Sequence, residues 1–172
     1  MDYSKICVAG CVALPIAVAM EFWAMFLHGK IWHSWLWPIH KSHHRPLIRS
    51  SGEEVSGRRY VPSGWEFNDV FSIVHAVPSV VAIVWGLQCW SSARCGGYAG
   101  PLSFGFGLGL ALFGIAYFVV HDGLVHRRLP VQFLLRSAYF KRVYEAHMLH
   151  HKVHGGPYGL FLGHWEVRRN RK

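Results

Sequence analysis

The sequence predicts an all-α integral-membrane fold: about three transmembrane helices, with further helices on one side of the bilayer carrying clustered histidines. Three observations predict it. Of 172 residues, 52% are hydrophobic, 15% aromatic and only 16% charged, a balance suited to a bilayer as solvent. Three apolar segments, about 6–27, 70–90 and 102–120, can each cross the roughly 30 Å hydrocarbon core at ~1.5 Å of rise per residue. Ten of the 13 histidines lie just beyond these segments.

The first segment, Ile6–Leu27, contains one charge, Glu21; Val70–Trp90 and Leu102–Val120 contain no Asp, Glu, Lys or Arg. A signal peptide fits the first segment poorly, because the run is too long and lacks a basic leading region. No transit-peptide-like stretch precedes it, the expectation for a prokaryotic, mature or trimmed chain. At 172 residues the expectation is a single membrane-embedded domain, 1–172.

A net charge of +9 invites a nucleic-acid reading, but its placement argues against one. Of 18 Lys and Arg, six fall between residues 28 and 68 and ten after residue 120, leaving Lys5 and Arg94 for the N-terminus and the 91–101 loop. Three crossings put the two basic stretches on one side, which the positive-inside rule makes the cytoplasm or the plastid stroma. Nucleic acid is therefore not an expected partner; anionic lipid or an acidic protein is. The four cysteines, Cys7, Cys11, Cys89 and Cys95, form no CxxC pair and read as spare apolar residues, with a Cys89–Cys95 disulfide as the lesser alternative.

The first span is expected to continue as helix through His33. Pro38 and Pro46 then bracket a short helix, and residues 47–64, rich in Ser, Gly and Arg, read as a polar loop. The third span is expected to run to about His126, before Pro130. A further helix should cover Ser137–His151, with Ser137 as its cap and Gly155, Gly156 and Pro157 as its stop. Gly105, Gly107 and Gly109 invite a nucleotide-loop reading, but no strand precedes them and the spacing is wrong for one. Gly105 and Gly109 instead make a GxxxG pair for close helix packing.

The chemistry lies in the histidines. His28 and His33 form HxxxxH, His40, His43 and His44 form HxxHH, and the same pair and triple recur as His121 and His126, then His147, His150 and His151. On a helix, positions i, i+3 and i+4 share one face within ~100°, so a triple converges on a small volume. Residues five apart stand ~140° apart on an ideal α-helix. Either each pair serves two different metals or the helix distorts between its members, and spacing leaves both open. Ten neutral imidazoles would supply five ligands to each of two metals, more than a structural zinc site uses. Such a centre needs carboxylates or amides behind its ligands. The candidates are Asp122 beside His121, Asp69 and Asn68 at the mouth of the second span, and Glu21 inside the first. His75, His154 and His164 read as structural or peripheral.

These boxes resemble the histidine-box superfamily of membrane desaturases and hydroxylases. The segments MEFWAMFLHGKIWH (20–33), HKSHHRP (40–46), FNDVF (67–71), HDGLVHRRLP (121–130), AHMLHHK (146–152) and PYGLFLG (157–163) are similar to the β-carotene 3-hydroxylases of the plant and algal branch. The resemblance implies O2-dependent hydroxylation of β-carotene and related carotenoids at C3 of the β-ionone ring, giving β-cryptoxanthin and zeaxanthin. It implies two non-haem iron ions held by the ten clustered histidines, with electrons from reduced ferredoxin or an NAD(P)H-linked chain. It also implies a multi-pass protein, in a plastid membrane with boxes facing the stroma, or in a bacterial inner membrane with boxes facing the cytoplasm. Homo-oligomerisation is left open. The chain departs from the family in its longer 47–64 loop and in its HWEV tail (164–167). The alternatives are a carotenoid ketolase, a lipid desaturase or hydroxylase of the same superfamily, or a non-catalytic membrane protein binding metal or haem. Haem ligands in membrane proteins normally sit within spans, whereas these clusters sit beyond them.

Overall fold

The computed structural model describes residues 3–44, 66–92 and 95–169, and every regular element among them is helical. The polar 47–64 loop expected from composition lies outside the described residues. In chain order, α1 (Tyr3–Phe26) continues through a π-helical stretch, Leu27–Trp32, into the short α2 (Trp37–His40), which has proline in its first turn. α3 covers Asp69–Ser91. α4 (Ala99–Phe118) continues through a second π-helical stretch, Val119–Val125; a 3₁₀ turn (Gln132–Arg136), α5 (Ala138–Val153) and α6 (Gly163–Arg169) follow.

With their extensions, α1, α3 and α4 give runs of 30, 23 and 27 residues, long and apolar enough to cross a membrane. Contacts divide the chain into two compact units, Met1–Met20 with Val70–Ala116, and Glu21–Asp69 with Tyr117–Lys172, so each boundary falls within or at the end of an apolar run.

In the first unit the helices meet through glycine. A Cβ on Gly105 would stand 2.5 Å from the Ala9 carbonyl oxygen, and one on Gly109 2.6 Å from that of Ala13, so this pair admits α1. Gly107 faces the other way, 2.7 Å from the Ser79 carbonyl oxygen on α3 by the same measure. The Ser79 hydroxyl donates to the Gly107 carbonyl at 2.9 Å, and that of Ser103 to the Ala82 carbonyl at 2.9 Å. Side chains not used in this packing, such as Leu14, Val18, Val81 and Ile115, are exposed and apolar, as a lipid-facing surface requires. His75 donates to the Phe71 carbonyl one turn back, a structural role. Cys89 and Cys95 form a disulfide, which corrects the expectation of spare thiols for this pair. The end of α3 and the following loop bring their Cα atoms to 5.0 Å, within disulfide reach. Cys7 and Cys11 are free.

The second unit has its own core: Val120, Leu124, Val143 and Leu160, flanked by Tyr117, Val131, Phe140 and Phe161. The α4 extension ends at His126, where Arg127 takes a left-handed φ of 57° and the Arg128 N–H returns to the Asp122 carbonyl. Ser137 occupies the N-cap of α5, but its side chain makes no cap hydrogen bond, a correction to the sequence reading: the 3₁₀ turn ahead of it brings the chain in directly. α5 ends on His154 in the left-handed region, before the expected Gly-Gly-Pro stop.

Candidate metal centre

The pairs are built by backbone distortion. A π-helix closes its hydrogen bonds from i to i+5, and the His33 N–H meets the His28 carbonyl at 3.1 Å, the His126 N–H that of His121 at 3.0 Å. Residues five apart then share a face. The ring centroids of His28 and His33 lie 5.1 Å apart, those of His121 and His126 4.7 Å. The question left open by spacing is answered: the helix distorts, and each pair points to one place.

The triples do the opposite. His28, His33, His40, His44 and His150 bring one nitrogen each within 4.8 Å of one another, and so do His43, His121, His126 and His147. His151 joins the second group, its Nε2 3.0 Å from that of His147. Each HxxHH motif therefore divides between the two positions. All ten belong to the second unit, and all but the half-buried His33 and His151 are buried.

Outer partners decide which nitrogen faces inward. Nδ1–H of His28 donates to the Tyr158 carbonyl (2.9 Å), that of His40 to Asn68 Oδ1 (2.7 Å) and that of His150 to the Gly155 carbonyl (2.6 Å). Nδ1–H of His43 donates to Glu66 (3.2 Å) and that of His121 to Asp122 (3.1 Å). Rings so tautomerised present Nε2 lone pairs inward. Yet Nε2 of His28 stands 3.1 Å from that of His40, and Nε2 of His43 3.0 Å from that of His121. Two lone pairs at such distances repel unless a cation lies between them, so the donor set fits metal ions. Burial supports the neutral form: it holds His40 down to about 3 and His150 to about 4, and His43, His126, His147 and His151 well below the ordinary range, each reinforced by neighbouring imidazoles.

Of the candidate supporting residues, Asp122 and Asn68 touch ring nitrogens directly. Asp69 instead accepts from Arg128 at 2.7 Å and from the Glu66 N–H at 3.0 Å. Glu21 reaches none of the ten rings; it accepts from the Leu162 N–H at 2.8 Å and so holds the 157–163 segment. Glu166 holds the same segment through the N–H groups of Tyr158 and Gly159.

Among curated proteins, the chain is 41% identical to "Beta-carotene hydroxylase 1, chloroplastic" of Capsicum annuum, over 97% of the chain and 47% of that protein. It is 44% identical to "Beta-carotene 3-hydroxylase, chloroplastic" of Gentiana lutea, over 92% of the chain and 44% of that protein. The chain thus spans about half the length of these plant relatives. It is also 37% identical to "Beta-carotene hydroxylase" of the bacterium Pseudescherichia vulneris, over 84% of the chain and 68% of that protein. The chain belongs to the β-carotene hydroxylase family. No family model and no solved structure matches it.

In this member of the β-carotene hydroxylase family, sequence reasoning missed four residues: Glu66 behind His43, Arg128 bridging Glu66, Asp69 and Asp122, Tyr158 behind His28, and Glu166. The only signal for Arg128 was its position two residues after His126; for Glu66, its place beside FNDVF. Neither said which ring or carboxylate it would meet.

Proposed function

We propose that this chain hydroxylates C3 of the β-ionone rings of β-carotene, yielding β-cryptoxanthin and then zeaxanthin. The observation that carries the reading is the convergence of ten imidazoles on two places in a member of this family. His28, His33, His40, His44 and His150 would hold one iron ion, and His43, His121, His126, His147 and His151 the other. When bound, the iron ions supply activation of O2, one oxygen atom entering the product and the other leaving as water, with two electrons from a donor such as reduced ferredoxin or an NAD(P)H-linked chain.

The chain's own residues do the preparing. Burial keeps the imidazoles unprotonated and therefore able to ligate. Asn68, Glu66, Asp122 and the carbonyls of Tyr158 and Gly155 fix ring orientation and tautomer before any ion binds. Leu124, Val125 and Val120, all buried on the segment that carries His121 and His126, exclude water from that side. Three long apolar helices support a membrane location, chloroplastic relatives a plastid one, and the two basic stretches a centre on the stromal or cytoplasmic side.

The test is expression in bacteria that accumulate β-carotene, followed by pigment analysis, with His150→Ala as control. Zeaxanthin or β-cryptoxanthin from the parent chain and neither from the variant is the expected result. Unchanged β-carotene from folded, iron-loaded protein supplied with a donor overturns the assignment; keto or newly desaturated products move it to a neighbouring branch of the superfamily.

A further inference from the structure

The outer partners of the two histidine groups differ in charge. Around the first group they are neutral oxygens: the Tyr158 carbonyl on His28, Asn68 Oδ1 on His40 and the Gly155 carbonyl on His150. Around the second, two rings have carboxylates behind them, Glu66 on His43 and Asp122 on His121. One guanidinium ties these carboxylates together. Arg128 stands 3.3 Å from Glu66, 3.0 Å from Asp122 and 2.7 Å from Asp69, and Asp69 in turn accepts from the Glu66 N–H. Both carboxylates behind the second group are thus held by the same guanidinium.

Resting on the metal reading above, we propose that the two metal positions are unequal. The position faced by His43 and His121 takes its ion first and holds it more tightly, because Glu66 and Asp122, positioned by Arg128, strengthen its ligands. The physical argument has two parts. A carboxylate accepting from Nδ1–H draws that proton outward and raises electron density at Nε2, which a neutral carbonyl does more weakly. The carboxylates also compensate the charge that an ion brings among neutral imidazoles, in a buried place where charges are poorly screened. Glu66 and Asp122 are positioning residues: they act through His43 and His121. Asn68 occupies the matching place behind His40, which makes it the site at which the asymmetry can be altered by a nearly isosteric change.

Ferrous iron titrated anaerobically into the metal-free protein in detergent tests this, with free iron read by chelator competition. The expected result is two resolved steps, the tighter lost in His147→Ala and the weaker in His28→Ala. Asp122→Asn should weaken the tighter step by about 10–100-fold and leave the weaker one in place. Asn68→Asp should tighten the weaker step and draw the two together, which guards against an Asp122→Asn variant that merely folds badly. Two steps of equal affinity, or an Asp122→Asn variant that weakens both alike, would overturn the asymmetry while leaving the metal centre intact. A parent chain that takes up no iron at all would instead overturn the metal reading itself.

Discussion

At the scale of single residues, the chain prepares its imidazoles by burial and, for His28, His40, His43, His121 and His150, by an acceptor behind the inward-facing nitrogen. The same burial sets a pH dependence. His40 and His150 are held to about 3 and about 4 in the folded chain, below the ordinary 6.5 that the unfolded chain takes. Between those values the unfolded state binds protons that the folded state does not, so stability is full above pH 6.5 and falls as the pH drops toward 4. The metal-free protein should therefore show a thermal midpoint that declines over that window. A midpoint unchanged from pH 7 to 4 contradicts this account of the rings. Another residue-scale fit is Gly29, where a Cβ would stand 2.8 Å from the Tyr158 ring, so the absence of a side chain there lets that residue lie against His28.

At the scale of elements, two devices do most of the positioning. The π-helical stretches bring HxxxxH onto one face, which an α-helix would not do. Glycine spacing on α4 sends Gly105 and Gly109 toward α1 and Gly107 toward α3. Gly105→Ala should therefore cost about 1–3 kcal/mol by forcing a backbone apart. Gly114→Ala, with nothing within 4 Å of its Cβ, should be tolerated. Thermal stability in detergent distinguishes them, and equal midpoints for the two variants would refute packing as the reason for the pair. The GxxxG pairing was legible in sequence because it needs only a small residue every four positions; its partner helix was not, because nothing local to α4 names it.

At the scale of the whole molecule, the distribution of charge and cysteine bears on topology. Ten of the 18 Lys and Arg follow residue 120, and six more lie between residues 28 and 68. The Cys89–Cys95 disulfide joins the end of α3 to the loop before α4, the segment that a three-crossing arrangement would put on the side away from the two basic stretches. In sealed inside-out vesicles from a strain lacking Cys7 and Cys11 in this chain, an impermeant maleimide should label Lys152→Cys and spare Tyr3→Cys; right-side-out vesicles should reverse the pattern. Labelling of both from one side would rule out an odd number of crossings.

The sequence by itself determined the membrane-helical class, the three apolar helices, the four histidine boxes and the family, because each is written in local composition and short spacing. It also reached Asp122 and Asn68, since they sit beside a box or in a motif near one. Only the tertiary structure decided how each triple divides between two positions, which carboxylate backs which ring, and that Arg128 joins Glu66 to Asp122. The physical reason is that these are contacts between segments far apart in the chain: Glu66 and Arg128 meet across 62 residues, and His43 and His121 across 78. Side-chain spacing along one helix fixes the direction in which an imidazole points, but for His33, His43 and His150 the ring nitrogen it meets lies on a segment far away in the chain.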